Sequence, residues 1–184
     1  MSDEFYQHAW RSLRRRRLLG DDAACVTCGC TDIVALHRDR SGMILCYECT
    51  SLHAGRSTIE RHHPIGRVLD ETIEVGGNLH RVLSDAQTEW PAPVWNNPTR
   101  DPLAIIAAAL LAVSDVARVA PATEGTAVRR CLDWLADHAH RFAAWLVLLA
   151  KTLRQGLGDE WWHVLELPDL LPDARIGKAS DAHA

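Results

Sequence analysis

Four cysteines in two pairs are the residues whose spacing most clearly predicts chemistry. Cys25 and Cys28 are separated by two residues, and after 17 further residues Cys46 and Cys49 repeat that spacing. Each pair can form a tight turn that presents two thiolates, and two such turns complete a tetrahedral site for Zn²⁺. Two disulfides are the alternative, but thiols stay reduced in the cytoplasm. The spacing therefore predicts a structural zinc, which contributes folding free energy and needs no catalytic role.

A second group of reactive side chains follows in the stretch ERHHPIGR, residues 60–67. His62 and His63 precede a proline, and His80 lies where the helical pattern LHRVLSDAQ begins. A histidine imidazole is largely neutral at pH 7, so it can ligate a metal ion or accept a proton from water. The alternative is that these histidines are ordinary polar residues at a strand end and a helix start.

The region from about residue 25 to 91 resembles the HNH, or ββα-metal, endonuclease family, and within it the small zinc-containing type of bacteria and phages. The stretches ERHHPIGR and NLHRVLSD carry most of the resemblance. It implies a divalent ion, Mg²⁺ or Mn²⁺, held by His62 and His80, with His63 as the general base that deprotonates the attacking water. The position expected for the middle asparagine of the motif corresponds to Leu69, so the residue that orients the base would be Asn78 or, as the alternative, Asp70.

The resemblance implies a metal-dependent nuclease that hydrolyses DNA phosphodiester bonds. Arginines that could hold DNA phosphates flank the histidines and crowd the amino terminus. They are Arg61, Arg67 and Arg81, and Arg11, Arg14, Arg15, Arg16 and Arg17. The chain has 18 Arg and only two Lys, a skew expected of GC-rich coding, so some clustering arises without a role. The alternative function is a catalytically inactive zinc module that binds nucleic acid, or an adaptor that binds proteins through its carboxyl-terminal half.

Hydrophobic spacing predicts the elements that must position these residues. Two short apolar runs around the turn RDRSG predict a hairpin that brings the cysteine pairs face to face. The runs TIERHH and TIEV predict two strands, and LHRVLSDAQ predicts the helix that follows them. A short basic helix, opened by Asp3 and closed by Gly20, is predicted before the first cysteine.

After a proline-rich stretch the pattern becomes helical. Asp101 is a predicted N-cap, with Pro102 at the first helical position. Apolar residues then recur at spacings of 3 and 4 across 103–117 and again across 128–153, which predicts an antiparallel helical hairpin. Additional tryptophans lie off the second stripe, and this surplus apolar surface predicts a homodimer or a protein partner bound through residues 102–166.

The sequence thus predicts an α+β chain in which a zinc-knuckle, HNH-like module precedes a helical module. The expected divisions are a basic helix at 1–20, the zinc module at 21–92, a linker at 93–101, the helical module at 102–166 and a flexible tail at 167–184. The apolar runs are shorter than the roughly 20 residues that span a membrane, and the amino terminus has no signal-peptide pattern. We therefore expect a cytoplasmic protein that binds DNA and no membrane.

Overall fold

The computed structural model describes residues 3–66, 71–121 and 123–165, with only the backbone of residues 3–9 and 12. These residues form seven helices and two antiparallel sheets of two strands each, a mixed α/β architecture. Arg67, Leu69, Asp70 and the predicted tail at 167–184 lie outside the described residues.

The first helix, α1 (Asp3–Leu19), covers the predicted basic segment. Gly20 ends it at a φ of 103°, and the Gly20 N–H donates to the carbonyl of Arg16 at 2.7 Å. This left-handed position is one that glycine adopts without steric cost, so the helix ends there. Two arginines attach α1 to the rest of the chain, because Arg11 donates to the Thr88 hydroxyl at 2.8 Å and Arg15 donates to the Val34 carbonyl at 3.4 Å.

The predicted hairpin between the cysteine pairs is confirmed. It consists of β1 (Leu36–Arg38) and β2 (Ile44–Cys46), and the helix α2 (Tyr47–His53) follows without a break. The Asp39 carboxylate closes the turn, since its Oδ1 accepts from the backbone N–H groups of Ser41 and Met43, each at 2.9 Å. The hairpin therefore carries the second cysteine pair directly from a strand into a helix.

A second antiparallel hairpin and a helix form the next unit. They are β3 (Ile59–His62), β4 (Ile73–Gly76) and α3 (Gly77–Gln87), and α3 packs on both strands. The passage from β4 into α3 requires glycine, because a Cβ atom at Gly77 would lie 2.6 Å from Cδ1 of Tyr47. The strand, strand and helix predicted from the sequence are therefore present, in a ββα order.

The remaining helices bury the larger apolar core. They are α4 (Ala92–Trp95), α5 (Pro102–Val119), α6 (Ala127–Leu157) and α7 (Trp161–Val164). The segment interpreted as a linker, 93–101, includes most of α4 and places Val94 in a buried cluster with Trp90, Leu111 and Leu146. The linker segment is therefore itself part of the core that joins the ββα unit to the helices.

The helices α5 and α6 pack antiparallel, and side chains of α6 hold both ends of α5. Arg129, near the start of α6, donates to the carbonyl of Ala117 at 2.9 Å at the end of α5. Arg154, near the end of α6, donates to the carboxylate of Asp101 at 2.9 Å. That carboxylate is fully buried and accepts from the N–H groups of Leu103 and Ala104, so it caps α5 as predicted.

The buried face of α6 is rich in alanine and is rotated from the predicted stripe. Its buried apolar residues are Ala136, Ala139, Ala143, Leu146 and Ala150. Small side chains let the two backbones approach closely, which turns larger residues outward. An aromatic stripe of Trp134, Phe142, Trp145 and Leu148 is consequently exposed, each member by half or more. This stripe is apolar surface of α6 that the contact with α5 does not bury.

One helix in the described residues, α5, is long and apolar enough to cross a membrane by length and composition. Core helices have the same composition, and α5 packs against both α4 and α6. Those contacts account for its buried residues, while Ile106, Val113 and Val116 remain exposed.

Candidate metal centres

The four paired cysteines converge on one point. Their Sγ atoms all lie within 4.8 Å of one another, and those of Cys28 and Cys46 are 3.6 Å apart. Zinc–sulfur bonds of about 2.3 Å in a tetrahedron imply sulfur–sulfur distances of about 3.8 Å. Among the residues that the structure describes, this is the one group of three or more such side chains close enough to hold an ion. The cluster is consistent with structural zinc.

One turn and one helix start present these sulfur atoms. The turn is closed by the Gly29 N–H, which donates to the Cys25 carbonyl at 2.8 Å, and Gly29 has a φ of 74°. At the helix start, Cys46 caps α2, and its Sγ accepts from the Cys49 N–H at 3.4 Å. Cys25, Cys46 and Cys49 are buried, whereas Cys28 lies exposed at the rim.

The thiols of this cluster differ in acidity. Burial raises the pKa of Cys25, but hydrogen bonds from neighbouring backbone N–H groups outweigh it and lower this pKa to about 6. Burial and hydrogen bonds with the neighbouring thiols raise the pKa of Cys49. Crowded thiolates repel one another, so a bound cation is the means by which all four can ionise together.

The histidines of ERHHPIGR and α3 form a second constellation. His62 ends β3 and is buried, and His80 lies in the first turn of α3. Their ring centroids are 5.2 Å apart with the rings at 88°, an edge-to-face contact. Burial, and then the neighbouring His80 and His63, lower the pKa of His62 to about 4. His62 is therefore neutral at pH 7, the form that ligates metal ions.

Glu60 belongs to this constellation, although the sequence motifs did not point to it. Its Oε2 atom lies 2.9 Å from Nδ1 of His80, outside hydrogen-bond geometry, so that nitrogen has no hydrogen-bond partner within the described residues. Its Oε1 atom accepts from the Tyr47 hydroxyl at 2.5 Å. The available signal was the alternation of β3, which places residues 60 and 62 on the same face of the strand.

His63 follows the strand and is partly buried. Its Nδ1 atom is shielded from solvent and finds no hydrogen-bond partner in the part of the chain that is described. Its backbone carbonyl accepts from Nε2 of Gln87 at 2.8 Å, which ties the end of β3 to the end of α3. The backbone at His63 is therefore held while its imidazole retains an unused nitrogen.

Asn78 contacts the cysteine-rich turn and α2. Its Oδ1 accepts from the Glu48 N–H at 3.1 Å, and its Nδ2 lies 3.8 Å from Sγ of Cys30. In return, Oε1 of Glu48 accepts from the Asn78 N–H at 3.0 Å. The described hydrogen bonds of Asn78 are thus made with the cysteine-rich turn and α2, and none is made with His63.

The arginines selected from the sequence occupy two separate parts of the molecule. Arg61 and Arg81 are exposed on β3 and α3, and the Arg81 guanidinium lies 4.1 Å from the centre of the Tyr47 ring. On α1, the side chains of Arg11 and Arg15 are used in the contacts given above, while the others are exposed; these are Arg14, Arg16 and Arg17. Arg67 lies outside the described residues.

No protein-family model, curated protein or solved structure matches this chain. The resemblance to HNH enzymes therefore rests on the sequence motifs. The structure itself shows a ββα order and a contact between His62 and His80.

Proposed function

We propose that this chain is a metal-dependent nuclease of the HNH type that hydrolyses DNA phosphodiester bonds. The observation that carries the proposal is the edge-to-face pair of His62 and His80 at the junction of a β-hairpin and the helix that follows it. His62 and His80 are the proposed ligands of a divalent ion, and His63 is the proposed general base.

The environment of the two histidines supports a role as ligands. Burial keeps His62 neutral, so its lone pair is available at pH 7. The carboxylate of Glu60 lies 2.9 Å from Nδ1 of His80, beside the ring nitrogen that a ligating histidine uses for a hydrogen bond. A histidine that donates one ring nitrogen to a carboxylate presents the other to a metal ion, which is the usual arrangement around ligating histidines.

Two protein ligands leave most positions around an ion open. When bound, a divalent ion would supply positive charge for the phosphate and for the departing oxygen. The histidine pair would hold that ion with modest affinity, because two neutral ligands contribute less than the three or four of a closed site. Mg²⁺ and Mn²⁺ accept water and phosphate oxygens at the remaining positions.

The proposed base and the proposed DNA contacts are chosen by where their residues lie relative to His62 and His80. His63 is adjacent to His62 in the chain, and its imidazole is the group that would accept the proton from water. Arg61 and Arg81 flank the pair and can hold phosphates on either side of the scissile bond. Stacking on Tyr47 restrains Arg81, which lowers the entropy that it loses on binding.

The test is cleavage of plasmid DNA by the purified chain in Mg²⁺ or Mn²⁺. We expect nicking or cutting that EDTA abolishes. His63→Ala should lower the rate by about 10²- to 10⁴-fold while DNA binding persists, and His80→Ala should also weaken metal binding. His53→Ala, an exposed histidine of α2, is the matched control. A wild-type chain that never cleaves DNA in either ion would refute the nuclease proposal.

A non-catalytic zinc module that binds nucleic acid is the second candidate. The engagement of Asn78 by Glu48 favours it, because that asparagine is then not available to orient His63. This function predicts DNA binding that weakens steeply with salt and no cleavage. Replacing Arg14 and Arg16 by Gln should weaken binding to all sequences alike and reduce the salt dependence by about one phosphate contact for each arginine.

A further inference from the structure

The two residues between the second pair of zinc cysteines contact the histidine site. Tyr47 donates its hydroxyl hydrogen to Oε1 of Glu60 at 2.5 Å, and its ring supports the guanidinium of Arg81. The same ring fills the space where a Cβ atom at Gly77 would lie, so the start of α3 lies closer to Tyr47 than a residue with a side chain would allow. One side of the zinc knuckle is therefore in direct contact with the start of α3.

Glu48 connects the same two helices through hydrogen bonds. It accepts from the N–H of Asn78 at 3.0 Å, and Asn78 accepts from the N–H of Glu48 at 3.1 Å. The first N–H groups of a helix have no partner within the helix, so each of these side chains caps the other helix. The reciprocal caps fix the start of α3 relative to α2, two residues before His80.

His80 is thus held in two ways. Its backbone is placed by the caps between Glu48 and Asn78, and its ring lies against Glu60, which Tyr47 holds in turn. Both series of contacts start from residues that lie between Cys46 and Cys49 in the sequence. These two cysteines belong to the quartet that can hold an ion, so an ion bound there would order the segment between them.

We propose that Tyr47 and Glu48 are positioning residues that transmit the shape of the zinc-bound cysteine site to His80. Zinc at the cysteines keeps His62 and His80 arranged for a second divalent ion. The statement about the second ion rests on the proposed function, whereas the positioning of His80 does not. Residues that orient a metal ligand from outside its coordination sphere commonly change metal affinity by about 10- to 100-fold when they are replaced.

The experiment uses the full chain loaded with zinc and four variants. Tyr47→Phe removes the hydroxyl but keeps the ring, and Glu48→Ala removes the cap. Glu48→Gln retains an accepting oxygen, so it should restore most of the cap. Glu74→Ala is the control, because Glu74 is an exposed glutamate of β4. Zinc content is measured for every variant.

The first readout needs no second ion. Nuclear Overhauser contacts between the ring protons of His62 and His80 should be present in the wild type, in Glu48→Gln and in Glu74→Ala. They should weaken in Tyr47→Phe and in Glu48→Ala, while about one zinc per chain remains in all. In the second readout, a Mn²⁺ titration, these two variants should bind about 10-fold more weakly.

The outcomes separate the two proposals. Ring contacts that are absent in the wild type, or unchanged in both disruptive variants, overturn the positioning role. Loss of zinc from those variants overturns it as well, because the residues would then act on the cysteine site itself. If the ring contacts respond as expected but the chain binds no Mn²⁺, the positioning role is supported and the proposal of a second ion is refuted.

Discussion

The amino-terminal region and the helical pair α5–α6 are stabilised in different ways. Strands of three or four residues form the former, and cysteines make up half of its small buried cluster. Such short hairpins are marginal alone. The helical pair buries a continuous face of alanine and leucine along helices of 18 and 31 residues. The first region thus has a small core built around four cysteines that can hold a metal ion, together with particular hydrogen bonds, whereas the second depends on packed surface.

This difference determines where each region is sensitive to substitution. In the amino-terminal region the contacts that join one element to another are few and polar, such as the reciprocal caps of Glu48 and Asn78. In the helical pair the contacts are many and apolar, and the sensitive positions lie at the ends of α5, where Asp101 and Arg129 satisfy backbone groups. Substitutions at these positions test the comparison.

The largest effect is expected from removing two zinc ligands. Cys25→Ser with Cys46→Ser should abolish zinc binding and unfold the amino-terminal region, because structural zinc contributes about 10 kcal/mol or more in small modules. Metal analysis and circular dichroism check this, and helical signal from α5 and α6 should persist. Cys131→Ser, an exposed cysteine of α6, serves as the control. A double variant that folds without zinc would contradict the dependence on metal.

Asp101→Ala should cause the largest loss in the helical pair, about 4 kcal/mol in the free energy of unfolding. The substitution removes the cap of α5 and leaves the Arg154 guanidinium and the Trp161 Nε1 without their acceptor. Urea denaturation measures the change. Asp137→Ala, at an exposed position of α6, should change stability by less than about 0.5 kcal/mol. Equal effects of the two substitutions would argue against the end of α5 as a sensitive position.

Acid should weaken the amino-terminal region through His62. Its pKa of about 4 in the folded chain lies below the ordinary value near 6.5, so folding favours the neutral imidazole. This contribution is complete above about pH 6.5, falls as the pH approaches 4, and amounts to at most about 3 kcal/mol. Denaturation curves of the zinc-loaded chain at several pH values, without a second ion, measure it. His62→Gln should remove this part of the decrease in unfolding free energy with falling pH. If the decrease is unchanged in the variant, His62 is not its source.

Two glycines give a matched comparison between the regions. Gly77→Ala should cost about 2 kcal/mol, because the new Cβ would lie 2.6 Å from the Tyr47 ring. Gly156→Ala in α6 meets no atom within 4 Å and should stabilise the chain by up to about 1 kcal/mol through helix propensity. Thermal or urea unfolding compares them. A tolerated alanine at residue 77 would mean that α2 and α3 are less closely held than the structure indicates.

The smallest effect on stability is expected on the aromatic stripe of α6. We expect the chain to self-associate through this stripe, because the contact with α5 leaves these large apolar side chains exposed to solvent. Trp134→Glu with Trp145→Glu should abolish self-association yet change the stability of the monomer by less than about 1 kcal/mol. Sedimentation equilibrium over a wide concentration range measures it, with Gln155→Glu as the control. A wild-type chain that stays monomeric throughout would exclude a second copy as the partner.

The elements that were predicted correctly are those that local sequence patterns specify. The hairpin at RDRSG, the two strands around the histidines, α3, and the helices capped by Gly20 and Asp101 are all present. Each of these signals acts within a few residues, through turn chemistry, caps or periodicity. The cysteine spacing likewise predicted a cluster that the structure brings within 4.8 Å.

The sequence by itself determined the two hairpins, the helices α1, α3, α5 and α6, and the donor atoms of the cysteine site, because all of these follow from neighbours in the chain. It did not predict α2 or α4. The tertiary structure decided which partners distant residues meet. It directed Asn78 to Glu48, brought Glu60 to His80, and turned the alanine face of α6 inward in preference to its larger side chains. These outcomes depend on the close approach of elements far apart in the chain, and local spacing does not encode distances of that kind.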